Sequence, residues 1–530
     1  MASRVDEWRG TTTTLAERLR PRDDLIVREV PAGCDTGCDT SCDAGCDTAR
    51  PGSASFSAVE GPFLHYERRV GWEPDGSELR ITQSIDWRLG IPYWAWLYRP
   101  FVHRALRDGV AGHRPWWLFP DRISVPQARA VSTMALFSLV SGLLYGQLTQ
   151  VLTFASADIG DGSSGQQAAI FAVVRVGTVL TAFMMFQADR FGRRRIALWS
   201  FGLAIVTSVA TAFVPSLAAL SVLQAVSRNL AVAGLLAIDT LCIEELPAGS
   251  RAMASGLGAM AYGLGSGVVV VSLPLADVSP WGWRLVFVLS LITVPLVWSG
   301  ARTSTESHRF LRLHPDRSGS ASGTDDPPPE SRRIHGSRFV LLAALFVLLN
   351  LLVAPMSQLQ NDYLRSERGF DGFTIAVFTV LTGTPAALGV IVGGRIADTR
   401  GRRWALVPGL VALAVFIALF FNLSGASMWV SSLVAAVLGT LTVAPLGVLA
   451  PELFPTARRG GARGALNVLA VTGSVLGLLL AGAGVDAAGY GPTFALLALG
   501  PLIAAGLAFA VPETGGRELE EINQEGRASL

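Results

Sequence analysis

Polar and apolar positions are distributed unevenly along the chain. Up to about residue 127 they intermix; beyond it the chain breaks into long apolar runs separated by short polar turns. A helix that crosses a bilayer needs about 20 predominantly apolar residues. Twelve runs qualify, near 129–154, 167–188, 196–214, 218–242, 253–275, 284–300, 339–358, 372–394, 404–422, 428–450, 464–484 and 492–511. Some are irregular and glycine-rich. Helix is still the expected form, because the bilayer core holds no water to satisfy an open backbone. The pattern predicts an all-α membrane protein of twelve transmembrane helices. It divides into an extension at 1–127, a six-helix bundle at 128–300, a polar central loop at 301–337, a second six-helix bundle at 338–512 and a tail at 513–530.

Composition agrees: 16% of residues are charged, against about 25% in soluble domains. Mean hydropathy is +0.43. The placement of charge says more than its sum of +2. The turns at 189–195, 251, 301–338, 395–403 and 458–463 hold most of the loop arginines. The alternate turns hold Arg284, Arg365 and Arg368, and the turn at 155–165 carries Asp158 and Asp161. Arginine-rich loops stay on the cytoplasmic side. Both termini are therefore expected in the cytoplasm, in a multi-pass protein of the cytoplasmic membrane.

The extension begins with a polar stretch of both charge signs, and residues 1–55 are expected to be disordered. Within it, Cys34, Cys38, Cys42 and Cys46 recur every four residues. A zinc site usually pairs two short spacings across a longer loop, so this tract reads as low complexity rather than a metal centre. Residues 86–121 interleave Trp87, Trp94, Trp96, Trp116 and Trp117 with Arg88, Arg99, Arg104, Arg107 and Arg114. Tryptophan and arginine together favour a membrane interface. An interfacial segment is expected there, with a small packed cap as the alternative.

The two bundles repeat one design. The turn "DRFGRRR" begins at Asp189 and "DTRGRR" at Asp398, an offset of 209. "EELPAGSR" and "PELFPTARR" pair Glu245 with Glu452 and Arg251 with Arg458 at an offset of 207. "TESHRF" and "PETGGR" pair Glu306 with Glu513 at the same offset.

These residues resemble the major facilitator superfamily of secondary transporters, nearest in motif to its sugar-porter and organic-ion branches. The family signature is glycine, three residues, aspartate, a basic residue, any residue, glycine and two basic residues. Asp189, Arg190, Gly192, Arg193 and Arg194 match it in the first half, with Met185 in place of the leading glycine. Gly394, Asp398, Gly401, Arg402 and Arg403 match it in the second, with Thr399 at the first basic position. The Met185 departure suggests looser packing there. The resemblance implies that this cluster, with Glu245, Arg251, Glu452 and Arg458, latches an inner gate. An acid at a helix end also suits pairing with cations or with a facing helix N-terminus.

Enzyme signatures are missing: the sequence has no Gly-x-Ser-x-Gly, His-Glu-x-x-His or lysine-bearing phosphate loop, and no histidine lies in a span. No cofactor, metal or nucleic-acid partner is expected, and a monomer is. Ionisable groups inside spans are costly and so mark candidate sites. They are Arg175 in the second helix and Arg228 and Asp239 in the fourth. Arg175 lies ~12 Å and Arg228 ~15 Å from the outer ends of their helices at 1.5 Å per residue. An anionic substrate held by these two arginines is expected; the alternative has Arg175 reaching outward to Asp158 or Asp161 while Arg228 bonds backbone. Tyr145, Gln147, Asn350, Thr382, Thr384 and Thr440 complete the candidate binding set. Coupled protons would need a carboxylate, for which Asp239 and Glu245 are the candidates. The fifth helix, "GLGAMAYGLGSG", lacks the Gly-Pro pair of the antiporter branches, which turns the reading toward uptake. Efflux of drugs or metabolites is the alternative, and a membrane sensor or scaffold the second.

Overall fold

A computed structural model describes residues 2–34, 50–76, 78–108, 117–160, 170–171, 173–175, 177–272, 274–277, 279–307, 310–311, 336–370, 372–455 and 458–517. They form two units, Met1–Ser132 and Thr133–Leu530.

The first unit is built on alternation. Along Glu78–Leu89 every second residue, from Leu79, Ile81 and Gln83 to Ile85, Trp87 and Leu89, points inward. That is the period of a strand with one buried face. Five strands form one antiparallel sheet: β1 (Ala2–Gly10), β2 (Arg28–Cys34), β3 (Gly52–Glu60), β4 (Phe63–Asp75) and β5 (Glu78–Leu89), in the spatial order β1-β5-β4-β3-β2. Two helices cover its inner face. Leu15 and Leu19 of α1 (Thr12–Leu19) join Phe56, Val70, Trp72 and Ile81. Val102, Ala105 and Leu106 of α2 (Ala95–Asp108) join Tyr66, Ile85 and Trp87. Within this core Glu29 and Arg68 form an ion pair at 2.6 Å, both almost fully buried. The Tyr66 hydroxyl donates to Glu29 at 2.6 Å, and Arg68 donates to the carbonyls of Arg18 and Arg20 at 2.7 and 2.9 Å. One pair thus ties β2, β4 and the end of α1.

Two expectations are corrected here. Residues 2–34 and 52–55 are not disordered; they supply β1, α1, β2 and part of β3. Residues 86–121 are not one interfacial stretch, since 86–89 closes β5 and α2 lays one side on the sheet. The alternating pattern was masked by charged residues on the outer face of each strand. Cys34 ends β2, whereas Cys38, Cys42 and Cys46 lie outside the described residues.

The second unit is all helix. The first transmembrane helix, α3 (Val125–Ile159), begins in the first unit and continues into the second. It is followed by α4 (Thr178–Phe191), α5 (Arg193–Thr211), α6 (Leu217–Glu245), α7 (Arg251–Ser272) and α8 (Trp283–Thr303). The second bundle comprises α9 (Gly336–Ser366), α10 (Val377–Thr399), α11 (Arg402–Asn422), α12 (Gly425–Leu453), α13 (Arg459–Ala488) and α14 (Tyr490–Ala508). Ten helices among the described residues are long and apolar enough to cross a membrane. With α4 and α5 they fill the twelve places expected from the sequence. Small residues let the helices touch, as in other membrane bundles. A methyl group on Gly142 of α3 would fall 1.9 Å from the Tyr262 carbonyl oxygen of α7, and one on Gly389 of α10 would fall 1.8 Å from that of Val437 in α12.

Candidate functional site

The two repeated turns reach across to the opposite bundle. Asp189, at the end of α4, accepts hydrogen bonds from the backbone N–H groups of Gly460 and Gly461 at 2.9 and 2.8 Å. These are orphan donors of the first turn of α13, where the helix dipole also favours an anion. Asp398, at the end of α10, does the same at the start of α7, accepting from Ala252 and Met253 at 3.0 and 2.7 Å. Each aspartate is backed by a buried cation and a buried carboxylate. Arg193 lies 3.6 Å from Asp189 and 3.1 Å from Glu244, and Arg459 pairs with the same Glu244. In the second copy Arg402 pairs with Asp398 and lies 2.7 Å from Glu452, which Arg251 approaches at 3.7 Å. All these guanidinium and glutamate side chains are at most 1% exposed.

A third carboxylate caps each turn. Glu306 accepts from the N–H groups of Arg193 and Arg194 at 3.2 and 3.0 Å, and Glu513 from those of Arg402 and Arg403 at 2.7 and 3.2 Å. Burial pushes the Glu306 carboxyl above its ordinary range, while the Ser307 and Arg194 N–H groups and Arg193 pull it back. The turn glycines make room for these caps. Gly192 and Gly401 have φ of 102° and 113°, and a methyl group there would fall 2.6 Å from Glu306 and 2.8 Å from Glu513. Arg194 and Arg403 donate to carbonyls beyond α8 and α14, Ser304 and Val511, at 2.9 and 3.0 Å; Arg190 is exposed.

Two partners differ from the sequence expectation. The network uses Glu244 rather than Glu245, which is half-buried, and Arg459 rather than Arg458, which is exposed. Adjacent residues on a helix point about 100° apart, so an error of one residue selects the wrong face. The seam beside Met185 is not loose either. Met185 is fully buried, and the small residues sit on α13: a methyl group on Gly464 would fall 2.9 Å from Ala182 Cα and one on Gly460 2.8 Å from the Met185 carbonyl oxygen. In the other seam Gly394 is the small partner, 2.9 Å from Met253 Cα by the same measure.

Further into the membrane an arginine–aromatic cluster forms. The Arg228 guanidinium, on α6, lies over the Tyr145 ring at 3.9 Å and within 5.9 Å of the Phe171 ring centre. It donates to the Thr149 hydroxyl at 3.2 Å, while its buried Nε–H has no hydrogen-bond partner among the described residues. Arg228 is 4% exposed, and no described carboxylate forms an ion pair with it. Arg175 is half-buried, within electrostatic reach of Tyr145 and Arg228. Tyr262 of α7 stands 6.1 Å from Tyr145, ring to ring. Asp158 is engaged elsewhere, accepting from the Trp283 indole at 2.9 Å and lying 3.7 Å from Arg284; Asp161 lies outside the described residues.

The other candidates are mostly bound within the helix packing. Gln147 points away from the cluster and donates to the Val286 carbonyl and the Ser290 hydroxyl at 2.7 and 3.0 Å. Asn350 donates to Phe346 of its own helix and accepts from Ser474. Thr382 bonds the carbonyl of Phe378, and Thr440 that of Ala386 in α10. Thr384 is exposed. Asp239 of α6 pairs with Arg463 of α13, and Arg463 also donates to Thr240 at 2.9 Å. Sequence reading missed Arg463, which was counted among the arginines of a loop. This tie has no twin: the equivalent places, 208 residues away, hold Gly447 and Ser255 in close contact.

The two bundles are thus tied to each other on one face, and the buried arginine cluster lies among helices of the first. Residues 339–529 match the family described as the Major Facilitator Superfamily. The sialic acid transporter NanX of Escherichia coli (strain K12) is 24% identical over 371 residues, 68% of this chain and 88% of that protein. The cis,cis-muconate transport protein of Acinetobacter baylyi is 27% identical over 319 residues, 56% of this chain and 73% of its own. In fold the chain is similar to the proton:xylose symporter XylE bound to 6-bromo-6-deoxy-D-glucose, with a TM-score of 0.64 at 16% identity, covering 75% of this chain and 98% of that one. Over residues 339–529 the chain matches that family, and along most of its length it is similar to membrane transporters of small solutes.

Proposed function

We propose that the protein carries an organic anion, in the simplest case a carboxylate, across the cytoplasmic membrane by proton-coupled alternating access, in the direction of uptake. The observation that carries this reading is Arg228. A guanidinium inside a span costs about 2.5–3.5 kcal/mol and needs a partner. Here the partners are an aromatic face and one hydroxyl, with Nε–H left over. A carboxylate bound side-on would satisfy the fork, and Tyr145, Tyr262 and Arg175 would line its approach. Asp158 is engaged by Trp283 and Arg284, and among the described residues it forms no ion pair with Arg175. Sialic acid and cis,cis-muconate, after which two relatives are named, are both acids.

Asp239 is the proposed proton site. A proton on it removes the charge that holds Arg463 and weakens one tie between the bundles. The latch itself would stay intact while the binding cluster faces the outer side, with the arginine-rich face and both termini in the cytoplasm. The test is uptake into proteoliposomes under an imposed pH gradient, with a panel of acids and neutral sugars competing. Acids should compete and sugars should not. Arg228→Lys keeps the charge but loses the fork and should weaken binding on the order of tenfold, while Arg228→Ala should abolish it. A neutral or cationic substrate, or unchanged affinity in Arg228→Ala, refutes the reading.

A further inference from the structure

Arg175 and Arg228 are held as neighbours by the residues next to them in the chain. Asn229, beside Arg228 on α6, donates its amide to the carbonyl of Val174, beside Arg175, at 2.9 Å. The same amide donates to the Ala225 carbonyl at 2.8 Å, so both of its hydrogens are used in this contact. The backbones approach closely as well: a methyl group on Gly177 would fall 2.5 Å from the Asn229 amide nitrogen. Phe171 and Arg175 are both helical and four residues apart, which places them on one face. The Phe171 ring centre lies 5.9 Å from the Arg228 guanidinium, so that face is turned toward Arg228. Arg175 is accordingly within electrostatic reach of both Arg228 and Tyr145.

Two like charges set side by side repel each other, more strongly where water is scarce. Other buried arginines of the bundles are met by carboxylates: Arg193 by Glu244, Arg402 by Glu452 and Arg463 by Asp239. Among the described residues no carboxylate forms an ion pair with Arg175 or Arg228. The Tyr145 and Tyr262 hydroxyls, on rings 6.1 Å apart, make no hydrogen bond with other described residues either. The cluster therefore offers two cations and two phenolic donors and holds no anion. A single carboxylate would neutralise half of its charge.

We propose that the substrate is a dicarboxylate, with one carboxylate held side-on by Arg228 and the other by Arg175, and with Tyr145 and Tyr262 as further donors. The proposal rests on the anion reading of Arg228 and narrows it from one charge to two. Both carboxylates of such a molecule are ionised at neutral pH, which matches the two guanidiniums. The arginines stand on different helices and Arg228 is fixed over the Tyr145 ring, so two separate acid groups suit them better than one shared group. The Tyr145 and Phe171 rings beside the Arg228 guanidinium favour an apolar skeleton between the acids.

The test is calorimetric binding to the full-length protein in detergent at neutral pH. The probes are succinate, adipate, sebacate and terephthalate, the monomethyl ester of each, phenyl phosphate and glucose. A dicarboxylate should bind best, and its monomethyl ester should bind on the order of tenfold more weakly or worse, the worth of one charge-assisted hydrogen bond. Arg175→Gln should bring the ratio of diacid to ester affinity toward one, whereas Arg175→Lys, which keeps the charge, should retain most of it. The ratio is read within each variant, so a general loss of folding does not imitate the result. A monoester that equals its diacid in wild type, or an unchanged ratio in Arg175→Gln, overturns the proposal and leaves Arg228 standing as a site for one carboxylate. Tighter binding of phenyl phosphate than of any dicarboxylate also overturns it, as does binding of none of the acids. Glucose bound in their place overturns the reading of Arg228 as well.

Discussion

Replacing Asp189 by asparagine tests whether this cluster acts as a latch, with almost no change in volume. The carboxylate accepts from Gly460 and Gly461 through different oxygens and stands 3.6 Å from Arg193. Asparagine keeps one acceptor; its NH2 group faces the other N–H and cannot accept from it. One charge-assisted hydrogen bond is lost, worth about 1.5–3 kcal/mol. Loss of the charge at the start of α13 removes about 0.3–1 kcal/mol more. Relief of the cost of burying an anion offsets part of this. A net shift of about 2–3 kcal/mol moves the latched-to-unlatched ratio by roughly 30–150-fold. Spin labels at Arg190→Cys and Arg458→Cys, two exposed positions on α4 and beside the start of α13, report the distance across the seam. Wild type should give a short-distance population that moves to longer distances in Asp189→Asn. Proteoliposome flux should fall at least tenfold, with membrane insertion and substrate affinity retained. Wild-type flux together with an unchanged distance distribution refutes the assignment.

Asp239→Asn should abolish accumulation driven by a pH gradient while leaving substrate exchange at equal pH measurable; normal gradient-driven accumulation in that variant removes Asp239 from the coupling path. Glu29→Ala leaves Arg68 buried without its carboxylate, which costs about 3–5 kcal/mol, so the first unit should melt well below wild type in tryptophan fluorescence; a shift of less than 2 °C would mean that the pair carries little of that unit's stability.

Much of this arrangement was legible in the sequence, and the misses have physical causes. The twelve spans follow from run length, because the bilayer imposes a minimum that soluble folds do not. The Asp-Gly-Arg turns were readable because only glycine accommodates the backbone at Gly192 and Gly401. The glutamate partner was not readable to the residue, since Glu244 and Glu245 are adjacent and only the fold shows which one faces Arg193. Arg463 was hidden by sidedness: an arginine near a helix end reads as a topology signal, although it turns inward to Asp239. The sheet was overlooked because charged residues such as Glu67, Arg69 and Arg80 alternate with its buried ones, which lowers the average apolarity below that of any span.

The seams between the bundles show where a sequence motif stops being a reliable record of geometry. At one seam the small residue is Gly394 on α10; at the other it is Gly464 on α13, facing Met185. The quantity held constant is the combined volume of two facing side chains, and either helix can supply the small one. A chain that lacks the motif glycine should therefore be searched on the opposing helix before its contact is judged absent. In the same way, Met185→Gly would not restore an ancestral fit; it would place glycine against glycine and open a void at a point where bundle must press on bundle.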